Sequence, residues 1–236
     1  MNWKQLISAK RFGMEEFHEE RQENRSEFQR DYDRLIFSAP FRRLQNKTQV
    51  FPLPGSVFVH NRLTHSLEVA SVGRSLGDDV AKALLERHPE LQDSFLPEIG
   101  SIVSAACLAH DLGNPPFGHS GEKAISTFFS EGKGVRLKEK QPNGEQLSPM
   151  EWEDLTHFEG NANAFRILTH QFEGRRKGGF VLTYTTLASI VKYPFSSSLA
   201  RTKSKFGFFV SEEESFQKIA TELGLTLLNE HPLKYA

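Results

Sequence analysis

The stretch that decides the fold is 105–122, AACLAHDLGNPPFGHSGE. Its first half is typical of an apolar helix, and that helix ends in the adjacent side chains of His110 and Asp111. An Asp in the last turn of a helix faces the negative end of the helix dipole, which is unfavourable unless a cation lies nearby. One nitrogen and one oxygen ligand side by side suit a divalent metal ion. The pair alone is weak evidence, because structural His-Asp neighbours are common.

A second histidine, His65, lies upstream on an apolar helical stripe. The stripe follows it at three- and four-residue steps, through Val69, Val72, Leu76, Val80 and Leu84. A lone histidine in that position would more often be a core residue bonded to a carbonyl group. Together, His65, His110 and Asp111 occupy two predicted buried helical faces. The sequence therefore favours a metal site over three unrelated polar residues.

The Gly-Asn-Pro-Pro-Phe-Gly turn leads directly to His119 at the start of a predicted helix. Free backbone amides and the positive dipole end favour an anion at such a position, phosphate above all. Glu122 can bond His119 and fix its tautomer, as a carboxylate does for a general base. The alternative is that Ser120 and Glu122 only cap the helix.

Helical periodicity dominates the rest of the chain, so the predicted fold class is mainly α, with at most a small β-hairpin. A helix over 97–112 would bury Ile99, Val103, Ala106 and His110, and a capping box at Ser148 opens a later helix. Stretches 50–55 and 206–210 are candidate extended pieces. A helix over 212–223 should stop at Gly224, and residues 230–232 resemble the approach to another helix.

Composition excludes several classes of protein. The 236 residues carry 29 Lys+Arg and 30 Asp+Glu, so the net charge of −1 does not favour a chain that coats nucleic acid or membrane. The single cysteine, the lack of a signal peptide and the absence of a ~20-residue apolar stretch predict a cytoplasmic protein with no membrane partner. Segment 174–205 is locally basic, a solvated face or a phosphate-binding wall, with Arg175, Arg176, Lys177, Lys192, Arg201, Lys203 and Lys205 and no acidic residue.

The order His65…His110-Asp111 resembles the metal motif of the HD phosphohydrolase superfamily. The flanking segments are similar to the deoxyguanosinetriphosphate triphosphohydrolase (dGTPase) family in particular. These segments are 41–50 (FRRLQNKTQV), 60–69 (HNRLTHSLEV), 109–119 (AHDLGNPPFGH), 157–161 (HFEGN), 182–187 (LTYTTL), 192–194 (KYP) and 205–209 (KFGFF).

The resemblance implies a helical HD-domain fold and metal-dependent hydrolysis of a deoxynucleoside triphosphate to the deoxynucleoside and triphosphate. It implies metal ligation by His65, His110 and Asp111, and catalytic roles for His119, Glu122 and His157. It further implies that substrate contacts are made by Gln49, Arg62, Asn161, Lys192, Tyr193 and Lys205. The implied cofactor is a divalent cation, Mg²⁺ or Mn²⁺ first, with Zn²⁺, Ni²⁺, Fe²⁺ or Co²⁺ as alternatives.

One departure concerns the family's fourth metal ligand, an Asp that follows a His-Pro turn. His231-Pro232 is present, but no such Asp follows within residues 1–236. We therefore expect residues 1–236 to form a single HD-type domain truncated before that ligand and before the carboxy-terminal region. Both apolar stripes should then be partly uncovered. The full-length protein is expected to be a homo-oligomer.

Two alternatives remain open at this stage. One is another HD nucleotidase or phosphodiesterase. The other is a non-catalytic fragment that binds a nucleotide or single-stranded nucleic acid.

Overall fold

The computed structural model describes residues 2–16, 25–47, 61–139, 142, 144–174, 177–202, 205–228 and 231–235. Its α-helices are α1 (Trp3–Leu6), α2 (Glu27–Ile36), α3 (Ala39–Arg43), α4 (Arg62–Arg87), α5 (Ile99–Ala109), α6 (His119–Ser130), α7 (Pro149–Thr156), α8 (Gly160–Thr169), α9 (Tyr184–Ile190) and α10 (Glu213–Leu223). Short 3₁₀ segments cover Leu44–Asn46, Pro89–Leu91, Leu96–Glu98, Lys133–Lys138, Ser197–Thr202 and Val210–Glu212. Strands β1 (Leu227–Leu228) and β2 (His231–Tyr235) pair antiparallel. The mainly helical fold class is confirmed.

Helix α5 lies at the centre and packs against α2, α4 and α9. The α4 face that meets it consists of small residues, which let the two backbones approach closely. Across this contact the Ser104 hydroxyl donates a hydrogen bond to the Ala70 carbonyl at 3.1 Å. The buried positions of α4 beyond its first residue are Ser66, Ala70, Gly73, Gly77 and Ala81.

The apolar stripes predicted for α4 and α5 are largely uncovered. Val72, Leu76 and Val80 are 61%, 60% and 51% exposed. Ile99 and Val103 are only partly buried, whereas Ile102 and Leu108 of the same helix are buried. The helical period was therefore predicted correctly, and the expectation that both stripes are partly uncovered is confirmed. Hydropathy favours Val and Leu over Ala and Gly, while close helix packing favours the small residues.

The uncovered stripes border an apolar groove of about 440 Å³. Its walls come from α1, α4, α5, α9 and the end of α10, and from the segments that follow α1, α9 and α10. Lining residues include Val80, Ile99, Val103, Ala188, Val191 and Leu225. Among the helices that the structure describes, none is both long enough and apolar enough to cross a membrane.

Several element boundaries follow the sequence signals. The capping box at the start of α7 is present, with the Ser148 hydroxyl and the Glu151 carboxylate each accepting the other's backbone amide. Helix α10 ends at Gly224, whose φ of 68° is the left-handed conformation that glycine adopts without strain.

Other boundaries differ from the prediction. Helix α5 ends at Ala109, so His110 caps it and Asp111 lies beyond it. Residues 231–232, expected to approach another helix, begin strand β2. Stretch 206–210 contributes an isolated bridge between Phe208 and Ser196, and stretch 50–55 lies outside the described residues.

Candidate metal centre and phosphate-binding cluster

The structure brings together the three predicted metal ligands. His65 comes from the first turn of α4, His110 from the end of α5, and Asp111 from the turn that follows. One ligand atom of each lies within 4.8 Å of the other two, and the two imidazole rings are 5.3 Å apart, centre to centre. The packing of α4 against α5 therefore brings these three side chains close together.

The tautomer of His110 suits a metal ligand. Its Nδ1 lies 2.6 Å from the Cys107 carbonyl oxygen, which can only accept a hydrogen bond. Nδ1 therefore donates to this carbonyl, and Nε2, which lies 3.5 Å from Asp111 Oδ1, is the ring nitrogen left to ligate a metal ion. A backbone carbonyl that orients a ligating histidine in this way is a common outer-shell partner in metal sites.

Asp111 is 5% exposed, yet one of its oxygens lacks a hydrogen bond. Oδ1 accepts a hydrogen bond from Asn114 Nδ2 at 2.5 Å. Oδ2 lies 2.8 Å from a guanidinium nitrogen of Arg62, an ion pair without hydrogen-bond geometry. A buried carboxylate oxygen without a donor is costly. Two imidazoles and this carboxylate therefore fit a divalent cation by their donor chemistry.

The predicted His119–Glu122 pair is formed. His119 is the first residue of α6, its side chain is 85% exposed, and its Nδ1 lies 2.7 Å from Glu122 Oε2. Since the carboxylate only accepts, Nδ1 donates to it, and Nε2 is the other ring nitrogen of this exposed side chain. Burial of Glu122 opposes ionisation, but hydrogen bonds from His119 and Gly160 and the charge of Lys205 outweigh it and lower the pKa of the carboxyl group.

The turn before His119 has an unusual backbone. Phe117 and Gly118 both have positive φ, 67° and 56°. For a phenylalanine this conformation is strained, which is typical of functional turns. A Cβ atom built on Gly118 would lie 3.0 Å from an Arg62 guanidinium nitrogen. Arg62 therefore lies between the metal ligand Asp111 and the residue that precedes His119.

Lys205 and Asn161, two predicted triphosphate contacts, meet at the start of α8. The Lys205 ammonium lies 2.9 Å from Glu159 and 3.7 Å from Glu122. Asn161 Nδ2 donates to Glu159 at 2.6 Å. Glu122 also accepts the Gly160 amide, so the His119 pair and the start of α8 share one carboxylate.

The other predicted substrate contacts are less closely tied to this cluster. Lys192 is exposed and lies 5.5 Å from the ring centre of Tyr193, while Tyr193 packs against a small aromatic group that includes Phe206 and Phe209. Among the described residues, His157 contacts Thr156 and Glu153 at the end of its own helix, so the structure does not bring it into contact with His119. Gln49 lies outside the described residues, as do Arg175, Arg176 and Lys203 of the basic segment.

Three residues of this region were not assigned from the sequence. Asn114 bonds Asp111, Glu159 bonds Lys205, and Lys47 donates to the Asn114 carbonyl at 2.8 Å. Burial, reinforced by the charge of Arg62, lowers the pKa of Lys47. Two of these residues had a signal in the sequence: Asn114 lies three residues after Asp111, and Glu159 lies at the start of a helix. Lys47 offered no local signal, because its neighbours come from a distant turn.

In the part of the chain that the structure describes, the metal cluster contains three ligands and no fourth His, Cys, Asp or Glu. The ligand roles of these three residues, and the absence of a fourth ligand from residues 1–236, stay predictions. His231-Pro232, expected to precede the fourth ligand, lies in β2.

Comparisons with known proteins agree with this geometry. The family model described as "HD domain" matches residues 62–179, half of the chain. A "Deoxyguanosinetriphosphate triphosphohydrolase-like protein" of Synechocystis is 47% identical over 95% of this chain and 52% of its own length. Its counterpart in Pseudomonas aeruginosa is 45% identical over the whole chain and 53% of its length. A "Deoxyguanosinetriphosphate triphosphohydrolase" of Yersinia enterocolitica is 36% identical over the whole chain and 51% of its length.

The chain therefore spans about half the length of the curated relatives it matches. The resemblance predicted from the motif series is confirmed by these similarities. Since the family model covers the two helices that carry the His65–His110–Asp111 cluster and the following His119–Glu122 pair, the chain belongs to the HD-domain family.

Proposed function

We propose that this chain carries the catalytic region of a metal-dependent hydrolase that converts a deoxynucleoside triphosphate to the deoxynucleoside and inorganic triphosphate. The observation that carries the proposal is the three-ligand cluster joined, through Arg62, to the His119–Glu122 pair. The names of the relatives support the substrate class. The proposed cofactor is Mg²⁺ or Mn²⁺, with Zn²⁺, Ni²⁺, Fe²⁺ or Co²⁺ as alternatives.

Different side chains have different roles in the proposed reaction. A divalent cation held by His65, His110 and Asp111 would supply Lewis-acid activation of a phosphoryl oxygen. His119, oriented by Glu122, presents Nε2 to take up a proton from the attacking water. Water adds at the α-phosphorus, the bond to the sugar 5′-oxygen breaks, and that oxygen leaves with a proton as the deoxynucleoside.

Cationic and polar groups hold the triphosphate during this step. Lys205 offers a flexible ammonium beside His119, and Arg62 offers a planar guanidinium beside the metal cluster. Lys192, Asn161, Tyr193 and Gln49 are proposed contacts on the same basis of resemblance, and His157 remains a proposed catalytic residue. Positioning and charge stabilisation of this kind are the main protein contributions to phosphoryl transfer.

We also propose that the part of the relatives beyond the matched half covers the apolar groove. Val72, Leu76 and Val80 form an exposed apolar row on one helix, and a groove of about 440 Å³ lies beside Val80. Contiguous apolar surface of this kind usually marks an interface. Residues 1–236 would then be about half of a larger HD-type unit. Homo-oligomer formation and a cytoplasmic location remain predictions.

A second candidate is a nucleotide- or single-strand-binding protein without turnover. It is favoured by the three-ligand cluster, since a site with three protein ligands holds its cation less firmly than one with four. Binding with a dissociation constant in the micromolar range but no hydrolysis would identify this function.

The test is a panel of the four deoxynucleoside triphosphates and a cyclic nucleotide, with Mn²⁺ or Mg²⁺, and products separated by anion-exchange chromatography. Release of deoxynucleoside together with triphosphate supports the proposal, whereas release of a monophosphate or opening of the cyclic nucleotide indicates another HD phosphohydrolase. The full-length Synechocystis relative serves as a reference. An Asp111→Asn variant controls for a contaminating hydrolase.

A further inference from the structure

Glu159 is a buried anion in a region proposed to bind a polyanion. It is the N-cap of α8 and is 1% exposed. Burying a carboxylate is costly unless its oxygens are paired, and a negative charge beside a phosphate site also repels the substrate. Glutamate is not among the preferred N-cap residues, which are Ser, Thr, Asp and Asn. Helix capping alone therefore does not explain why position 159 is a glutamate.

Each carboxylate oxygen of Glu159 holds a different residue of the proposed triphosphate wall. Oε1 accepts hydrogen bonds from the Asn161 amide at 3.1 Å and from Asn161 Nδ2 at 2.6 Å. Oε2 accepts from the Lys205 ammonium at 2.9 Å. An Asp at this position could also cap the helix. Its side chain is one methylene group shorter, however, and would not reach Lys205.

We propose that Glu159 is a positioning residue for triphosphate binding, which fixes Lys205 and Asn161 in the orientation that receives the phosphates. This inference rests on the proposed function. An ammonium has three donors and a carboxamide has two, so each keeps at least one donor for the ligand after bonding Glu159. Fixing these side chains in advance lowers the entropy that binding would otherwise cost.

Glu159 also keeps Lys205 apart from the His119 pair. The Lys205 ammonium is 3.7 Å from Glu122 Oε2, the same oxygen that holds His119 Nδ1. Without the charge of Glu159, Glu122 becomes the nearest anion for Lys205, and the Lys205 ammonium and His119 Nδ1–H would compete for one oxygen. Burial lowers the pKa of Lys205, but Glu159 outweighs this and raises the pKa, which keeps the ammonium charged.

The experiment measures the affinity of the chain for inorganic triphosphate by isothermal titration calorimetry in the presence of Mn²⁺. The variants are Glu159→Gln, which keeps size and capping capacity, Glu159→Asp, which keeps charge, Lys205→Met and the Glu159→Gln/Lys205→Met double variant. We expect each single variant to bind triphosphate about tenfold more weakly. In the Lys205→Met background, Glu159→Gln should weaken triphosphate binding by less than about threefold, because much of the effect of Glu159 acts through Lys205.

Glu212→Gln is the matched control. Glu212 is also buried, at 4% exposure, and pairs at 3.0 Å with Arg166 of α8, and its hydrogen bonds and ion pairs to described residues do not include Lys205 or Asn161. The affinity of Glu212→Gln for triphosphate should equal that of the wild-type chain. A second readout is the ¹³C-detected titration of Lys205, whose midpoint should move to lower pH in Glu159→Gln.

The outcomes separate this inference from the function on which it rests. A wild-type chain that binds neither triphosphate nor any deoxynucleoside triphosphate would overturn the proposed function and this inference together. Wild-type binding with equal affinity in Glu159→Gln, or fully additive effects with Lys205→Met, would overturn only the positioning role. A Lys205 titration midpoint that is the same in Glu159→Gln as in the wild-type chain would also overturn the positioning role. This measurement needs no ligand.

Discussion

The Glu122 carboxylate holds His119 Nδ1 at 2.7 Å with one oxygen and the Gly160 backbone amide at 2.9 Å with the other. Helix α6 and the start of helix α8, 38 residues apart in the chain, are thereby joined at one side chain. The tautomer of His119 and the position of α8 therefore depend on the same carboxylate, which is buried between them.

Replacing His119 tests its assignment as the general base. His119→Ala should lower turnover of a deoxynucleoside triphosphate by at least ~10², the usual scale for loss of a general acid or base. The side chain is exposed and outside the metal cluster, so Mn²⁺ affinity should not change. Turnover equal to that of the wild type would remove His119 from the mechanism.

Metal binding should depend on the three clustered ligands. Mn²⁺ at 100 times its dissociation constant should stabilise the wild-type chain by about 2.7 kcal/mol, seen as a rise in melting temperature that EDTA reverses. His65→Ala, His110→Ala and Asp111→Asn should each abolish most of this rise. His88→Ala is the control, because His88 is exposed and pairs only with Glu90 among its described contacts. An equal rise in His65→Ala would contradict the ligand set.

Gly160 allows a close approach between α8 and the turn after α5. A Cβ atom there would lie 2.1 Å from Asn114 Oδ1 and 2.7 Å from Glu122 Oε1. Gly160→Ala should therefore destabilise the fold by about 1–3 kcal/mol, the range for overpacking. It should also weaken both metal binding and turnover. Urea unfolding combined with Mn²⁺ titration checks this; a stable variant with a normal Mn²⁺ affinity would show that the contact can relax.

A pH-dependent contribution to stability should come from Glu15. Burial opposes its ionisation, but Lys218, the Tyr184 hydroxyl and the Gly13 amide outweigh it and lower the pKa from 4.5 to about 2. A lowered folded-state pKa contributes stability above the unfolded value, and this stability is lost as the pH falls from 4.5 towards 2. Glu15→Gln should therefore cost stability at pH 6 and progressively less below pH 4.5. Urea unfolding across this range measures it, and a cost that is constant with pH would refute the assignment.

The uncovered face of α4 should tolerate polar replacement. Leu76→Ser changes an exposed side chain, so the free energy of unfolding should change by less than about 0.5 kcal/mol. Leu108→Ala, in the buried face of α5, should cost about 2–5 kcal/mol. Urea unfolding of the two variants compares them directly. A large cost for Leu76→Ser would mean that this face is covered in solution.

Local features were predictable because their causes are local. Helical periodicity gave the main elements, the capping box placed the start of α7, and glycine in the left-handed conformation placed the end of α10. The pairing of His119 with Glu122 needs only three residues of helix, so the spacing alone predicted it. The clustering of His65, His110 and Asp111 was predicted from donor chemistry and helical position, with a family resemblance to support it, and their role as metal ligands stays a prediction.

Contacts between distant segments were decided only by the tertiary structure. Which face of α4 packs depends on how closely α5 approaches, and the structure buries Ala70 and Gly73 there while Val72 and Leu76 stay exposed. Lys47 lies beside Asn114, and Lys205 beside Glu159, through the packing of segments far apart in sequence. A residue's own neighbours in sequence fix its backbone preference and chemistry. Its partners across the core depend on the whole chain, because burial, desolvation and charge pairing are properties of the assembled fold.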